Sequence, residues 1–280
     1  MLRRLAAVAI AVAALMGVNA TPARASGHTP GFHEIFADGF NTPVVKGSFR
    51  DCGHNEDTPA AYCSGLPTSV RAAWWAYPSD WPDTATQRGY PVGGYYDPAS
   101  TLWIAPSAWG DGQLHIRMWR GASGPVHSAT VVPKAAMGLK YGKYEERFRV
   151  SKVATGYKSA HLLWPVDNGA CPNCEIDFPE LEWDGQIAAF AHHRDSIGGD
   201  QDAYDTGKTW TSWHTSDVIW TPGSVTFVLD GHVVGHSTTA VPNTAMDWDI
   251  QNESALNGES AAPNSSAQMD ISWVKVWSYS

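Results

Sequence analysis

The chain has 280 residues, a net charge of −9 and only 17 % charged residues. No run of Lys or Arg occurs, which argues against nucleic acid or an anionic membrane as partner. The 14 Trp and 10 Tyr must in part fill a core. The others are candidates for exposed platforms, since flat apolar rings suit the C–H faces of sugars.

Residues 1–25 have the form of a secretory signal. Arg3 and Arg4 supply the positive region, Leu5 to Val18 the apolar region, and Ala23-Arg24-Ala25 the cleavage site. That apolar run falls short of the roughly 20 residues that span a bilayer. An uncleaved anchor is the competing reading. The expected product is a secreted, extracellular monomer, with one domain over 26–280 and no membrane contact after signal removal. One domain is reasonable because all-β sandwiches and barrels often reach about 200–250 residues.

Strand signals dominate the rest of the chain. Leu114, Ile116 and Met118 alternate with polar or amphipathic neighbours, the period-two pattern of a half-buried strand. Residues 135–140 allow at most one or two helical turns. Ser224 to Leu229 runs into Asp230-Gly231 and then His232 to Val234, a strong hairpin signal. Residues 252–268, rich in Asn, Ser, Ala and Gly, read as an exposed loop, and Ile271 to Trp277 as a last strand. Many strands separated by turns, with no long amphipathic helix and no repeat, predict a sandwich or barrel.

Four cysteines in an exported chain read as two disulfides. Near-neighbour pairing gives Cys52–Cys63 and Cys171–Cys174. A four-cysteine zinc site is disfavoured by the ten residues between Cys52 and Cys63. A thioredoxin-like reading of Cys171-Pro-Asn-Cys174 lacks the βαβ setting it needs.

The stretch Glu175-Ile-Asp-Phe-Pro-Glu180 puts three carboxylates into what otherwise reads as a buried strand. Buried charges are costly unless used or paired. Glu175 and Asp177 share a face, because side chains alternate along a strand. Glu180 lies an odd step away and needs a one-residue β-bulge to join them. Pro179 stands where the bulge belongs, since proline inside a sheet is confined to edges, strand starts and bulges. Glu182 and Asp184 would then extend an acidic furrow. Two carboxyl groups about 5–5.5 Å apart are what a retaining glycosidase uses.

This stretch resembles the E-x-D-x-x-E signature of glycoside hydrolase family 16, in its bulged, laminarinase-like form. Tyr141 to Val150, Ala160 to Pro165, Trp213-His214 through Trp220-Thr-Pro-Gly to Asp230-Gly231, and Trp273 to Trp277 resemble further family segments in the right order. The resemblance implies an all-β, concanavalin A-like jelly-roll sandwich of two curved antiparallel sheets, with a substrate cleft across the concave face. It implies Glu175 as nucleophile, Asp177 as its helper and Glu180 as acid/base in retaining hydrolysis of a β-glycan, most simply a β-1,3- or mixed-linkage glucan. Trp164 and Trp183 would stack on sugar, and Gln251 would reach the cleft. One of His192 and His193 would support the acid/base, with His193 favoured. No cofactor is implied for catalysis. A structural calcium is implied for many members, here at Glu34 or Asp38 with Asp270. Agarose-, carrageenan- or xyloglucan-type substrates are the alternatives within the family, and a non-catalytic sugar-binding module is the alternative outside it.

Overall fold

A computed structural model describes residues 31–50, 65–107, 110–167, 169–196 and 199–280. The signal over 1–25 and the Cys52–Cys63 pairing lie outside these residues. Sixteen strands form from the alternating runs: β1 (Phe32–Asp38), β2 (Trp74–Ala76), β3 (Gly94–Tyr96), β4 (Leu102–Pro106), β5 (Gly112–Arg120), β6 (Val126–Pro133), β7 (Gly142–Lys152) and β8 (Tyr157–Pro165), then β9 (Ile176–Glu182), β10 (Gln186–His192), β11 (Gln201–Thr209), β12 (His214–Thr221), β13 (Ser224–Leu229), β14 (His232–Ser237), β15 (Met246–Ser254) and β16 (Ser266–Tyr279).

The front sheet runs β11-β10-β9-β8-β15-β6, with β2 added on β6. The back sheet runs β5-β16-β7-β12-β13-β14, with β4 on β5 and β1 on β16. Pairing of Trp119 with His127 and of Arg120 with Val126 joins the two sheets along one side. The pairings are antiparallel except that of β3 with β6. The architecture is therefore the curved all-β jelly roll that the sequence predicts.

Alternation builds the core between the sheets. On β13, Val225, Phe227 and Leu229 are buried and alternate with half-buried neighbours. Asp230 and Gly231 both take positive φ, 53° and 78°, as a two-residue hairpin turn of that hand requires. Phe178 of the front sheet meets Phe227 of the back sheet at 5.5 Å between ring centroids, and Trp248 meets Tyr144 at 5.4 Å. Edge-on aromatic pairs of this kind are worth about 0.5–1.5 kcal/mol beyond area burial.

The loop expected over 252–268 is shorter than its composition suggests. Asn252, Glu253 and Ser254 finish β15 and are buried, and Ser266 begins β16. Their polar side chains are tolerated inside because they have partners: Ser159 Oγ donates to Asn252 Oδ1 at 2.7 Å, and Ser254 Oγ donates to Asp83 Oδ2 at 2.6 Å. The helical turn expected over 135–140 is a single 3-10 turn, Lys134–Ala136.

Candidate active site

The bulge is present where Pro179 predicts it. Asp177 and Glu180 are three residues apart, yet they face Phe190 and Ala188 on β10 and Leu162 and Ala160 on β8, which are two apart. One extra residue on β9 therefore returns Glu180 to the face of Asp177. Phe178 points the other way, into the core. Residues directly opposite on paired strands share a face, so the register fixes the floor of the cleft row by row. One row holds Glu180, Ala160 of β8, Gln251 of β15 and Thr130 of β6. The next holds Asp177, Leu162 and Asp249. A third holds Glu182, Lys158 and Glu253. Trp164 lies one ladder step past the Leu163–Ile176 pair, beside Glu175, on the same face.

Burial and charge set the chemistry. Asp177 has a side chain only 1 % exposed, and Glu175 keeps 27 %. Burial, then the charge of Asp177, push the Glu175 carboxyl well above its ordinary range, with His192 opposing. Burial, then the charge of Glu180, push Asp177 up as well, against the pull of Lys158. Two such groups titrate as a pair. One proton shared between them relieves the repulsion of two adjacent carboxylates.

The histidine preference is corrected. Ala188 opposes Glu180 and Phe190 opposes Asp177, so the even-numbered residues of β10 face the cleft. His192 Nε2 sits 3.2 Å from Asp177 Oδ2 and 3.6 Å from Glu175 Oε2. His193 turns away and pairs with Asp202 at 3.3 Å. Trp183 is also corrected. It lies in the turn after β9, is 1 % exposed, and donates its Nε1 hydrogen to Ser159 Oγ at 2.7 Å. It is core, whereas Trp164 is 36 % exposed and free to offer a ring face. Asp184 does not extend the furrow, because it lies in the turn after β9 and accepts a hydrogen bond from Thr155 in the turn between β7 and β8. Gln251 is half-buried on the cleft face and accepts from the Tyr96 hydroxyl at 3.3 Å.

The Cys171–Cys174 disulfide is formed, and Glu175 follows it directly. The bridge staples the loop that enters β9, with Cα atoms 5.4 Å apart. Glu175, Asp177 and His192 could offer a cation one ligand atom each, all within 4.8 Å of one another. The expected calcium ligands do not assemble. Glu34 pairs with Trp277, seven residues along β16 from Asp270, or over 20 Å at the rise of a strand. Asp270 is already engaged by His115 and Gln268, each at 2.8 Å, and by Arg149. Asp38 accepts from Phe40 N and from Trp74 Nε1. These residues do not fit a calcium ion.

Sequence reasoning missed Lys158, Glu253, Asp249 and Tyr77. Tyr77 donates to Asp249 Oδ2 at 3.0 Å across the cleft floor. Lys158 was within reach of the same period-two count that places Trp164, since 158, 160, 162 and 164 share one face of β8.

The family model for glycosyl hydrolases family 16 matches residues 98–275, more than half of the chain. A β-glucanase of Paenibacillus polymyxa is 24 % identical over 162 residues, covering 52 % of this chain and 68 % of the relative. Among solved structures, the catalytic domain of an endo-1,3-β-glucanase (laminarinase) from Thermotoga petrophila superposes with a TM-score of 0.61 at 15 % identity, covering 89 % of this chain and 98 % of the other. A protein of Mycobacterium tuberculosis described as an immunostimulatory antigen and pseudo β-1,3-glucanase gives 0.60 at 18 % identity, covering 88 % and 98 %. At these identities the solved structures establish a shared fold only. With the matched family model, the bulged three-carboxylate strand and the two-sheet fold together, the chain belongs to glycosyl hydrolases family 16.

Proposed function

We propose that this chain is an exported, retaining endo-β-glucan hydrolase acting on β-1,3- or mixed-linkage β-glucan. The observation that carries the reading is the bulge in β9, which gathers Glu175, Asp177 and Glu180 on one cleft face beside the exposed ring of Trp164. Glu175 attacks the anomeric carbon, and the bond to the leaving oxygen breaks as Glu180 gives that oxygen a proton. Glu180 then takes a proton from water, which attacks the same carbon and frees Glu175 with net retention. Asp177 holds Glu175 in place through the proton the two share, and His192 lies against the charge that remains on the pair. The N-terminal signal sequence supports export, and the laminarinase-like signature supports the glucan linkage.

The test is release of reducing ends from laminarin, lichenan, agarose and xyloglucan, with the anomer of the first product followed by proton NMR. The reading expects turnover of a glucan to the β-anomer. The inverted α-anomer, or turnover of agarose or xyloglucan alone, overturns it. A second reading, a sugar-binding protein without turnover, is favoured by the pseudo-glucanase among the structural neighbours and disfavoured by retention of all three carboxylates here. It predicts oligosaccharide binding that Glu175→Gln leaves unchanged and no reducing ends from any of the four polymers.

A further inference from the structure

Lys158 is an unusual residue for its place. It lies on β8 at 4 % exposure, with its Nζ 2.8 Å from Glu180 Oε1. An ammonium group is almost never fully buried unless paired. Here the cross-strand partners of Lys158 are Glu182 on one side and Glu253 on the other, and Glu253 is itself 1 % exposed. Glu253 is fixed in turn from outside the sheet, where Thr84 N donates to its Oε2 at 3.0 Å. Asp83 caps the short helix Thr84–Gln87 and ties it to Ser128 and Ser254. Burial works against the Lys158 ammonium, but the charges of Glu180 and Glu253 outweigh it and hold the proton. The result is a fixed cation beside the buried Glu253, bonded to one named oxygen of the half-buried Glu180.

We propose that Lys158 is a positioning residue for proton transfer. It anchors Oε1 of Glu180 and leaves Oε2 as the oxygen that meets the glycosidic bond. The inference rests on the reading of Glu180 as the acid/base. An acid held 1 Å out of place loses much of its effect, and general-acid catalysis is worth about 10²–10⁴-fold. That help matters for a poor leaving group, such as a sugar hydroxyl. It matters little for a dinitrophenolate, which departs without a proton. A lysine that only supported the fold would affect both substrates alike.

The experiment compares kcat/KM for a β-glucan oligosaccharide and for the dinitrophenyl glycoside of the same oligosaccharide. The ratio of the two cancels the fraction of folded enzyme, so partial unfolding of a variant does not disturb it. Lys158→Met is expected to lower the oligosaccharide-to-dinitrophenyl ratio at least about 30-fold, within the range of general-acid effects. Lys158→Met/Glu253→Gln removes the anion that the single variant would leave buried and is expected to show the same loss. A ratio within about threefold of wild type in these variants, while Glu180→Gln lowers it, overturns the role of Lys158 and leaves the acid assignment standing. An unchanged ratio in Glu180→Gln overturns the acid assignment itself and the inference with it.

Discussion

Trp183 and Trp164 flank the same catalytic strand, and the different roles the structure gives them provide its sharpest test. Trp183→Ala removes a ring that is 1 % exposed and takes away the donor to Ser159 Oγ. Truncating a buried aromatic to alanine costs about 3–5 kcal/mol through lost transfer energy and the cavity left behind. The lost hydrogen bond adds about 1 kcal/mol. Ser159 keeps its bond to Asn252, so its hydroxyl is not orphaned and no further penalty is added, and the total comes to roughly 4–6 kcal/mol. At a few degrees per kcal/mol for a domain of this size, the melting temperature falls on the order of 10 °C. Trp164→Ala removes a ring that is 36 % exposed on the cleft face, and surface changes of this kind move stability by about 0.5 kcal/mol or less. Its effect falls on the ligand. Loss of one aromatic platform, taken at the energy of other ring contacts, weakens an oligosaccharide by about 0.5–1.5 kcal/mol, or roughly 2- to 13-fold in Kd. Denaturant unfolding and calorimetric titration of an inactive Glu175→Gln background separate the two. Normal stability with weakened binding in Trp183→Ala, or the converse in Trp164→Ala, would refute the assignment.

Other outcomes rest on the same geometry. His192→Ala, which removes the imidazole beside Asp177 and Glu175, is expected to lower kcat about tenfold or more, on the scale of a lost charge contact, while His193→Ala changes kcat less than twofold; steady-state kinetics on the preferred glucan decides. Asp177 has a raised folded pKa, so the folded state binds more protons than the unfolded one above the ordinary aspartate range, and stability falls as pH rises through the folded value. Asp177→Asn weakens that dependence, leaving the part due to the buried Glu175, and urea unfolding at pH 7 should show the variant more stable than wild type although far less active. Replacing Cys171 and Cys174 together by Ser opens a short loop worth roughly 2 kcal/mol of chain entropy, read as a lower urea midpoint with kcat also reduced, since Glu175 comes directly after the bridge.

The one-residue bulge shows how much of the site was legible in the chain. An odd spacing between carboxylates and a proline between them suffice to place the kink, because side-chain alternation is local geometry. The register differences across β8, β9 and β10 repeat that count from the other side. The hairpin at Asp230-Gly231 was legible for the same reason. His192 was not, because parity cannot be carried across a turn of unknown conformation, and Trp183–Gly185 is such a turn. The polar end of β15 was read as loop because composition reports what a side chain is and not what it bonds to.

The sequence by itself determined the strands, the family, the three carboxylates and the disulfide before them, since each rests on residues close together in the chain. Tertiary structure decided which rings face sugar and which fill the core, which histidine meets the acids, and that Asp270 is taken by His115 and Arg149 rather than by a cation. It also decided that Lys158, 22 residues from Glu180 in the chain, is its ion-pair partner. Burial and long-range pairing depend on where distant strands meet, and a local pattern carries no record of that.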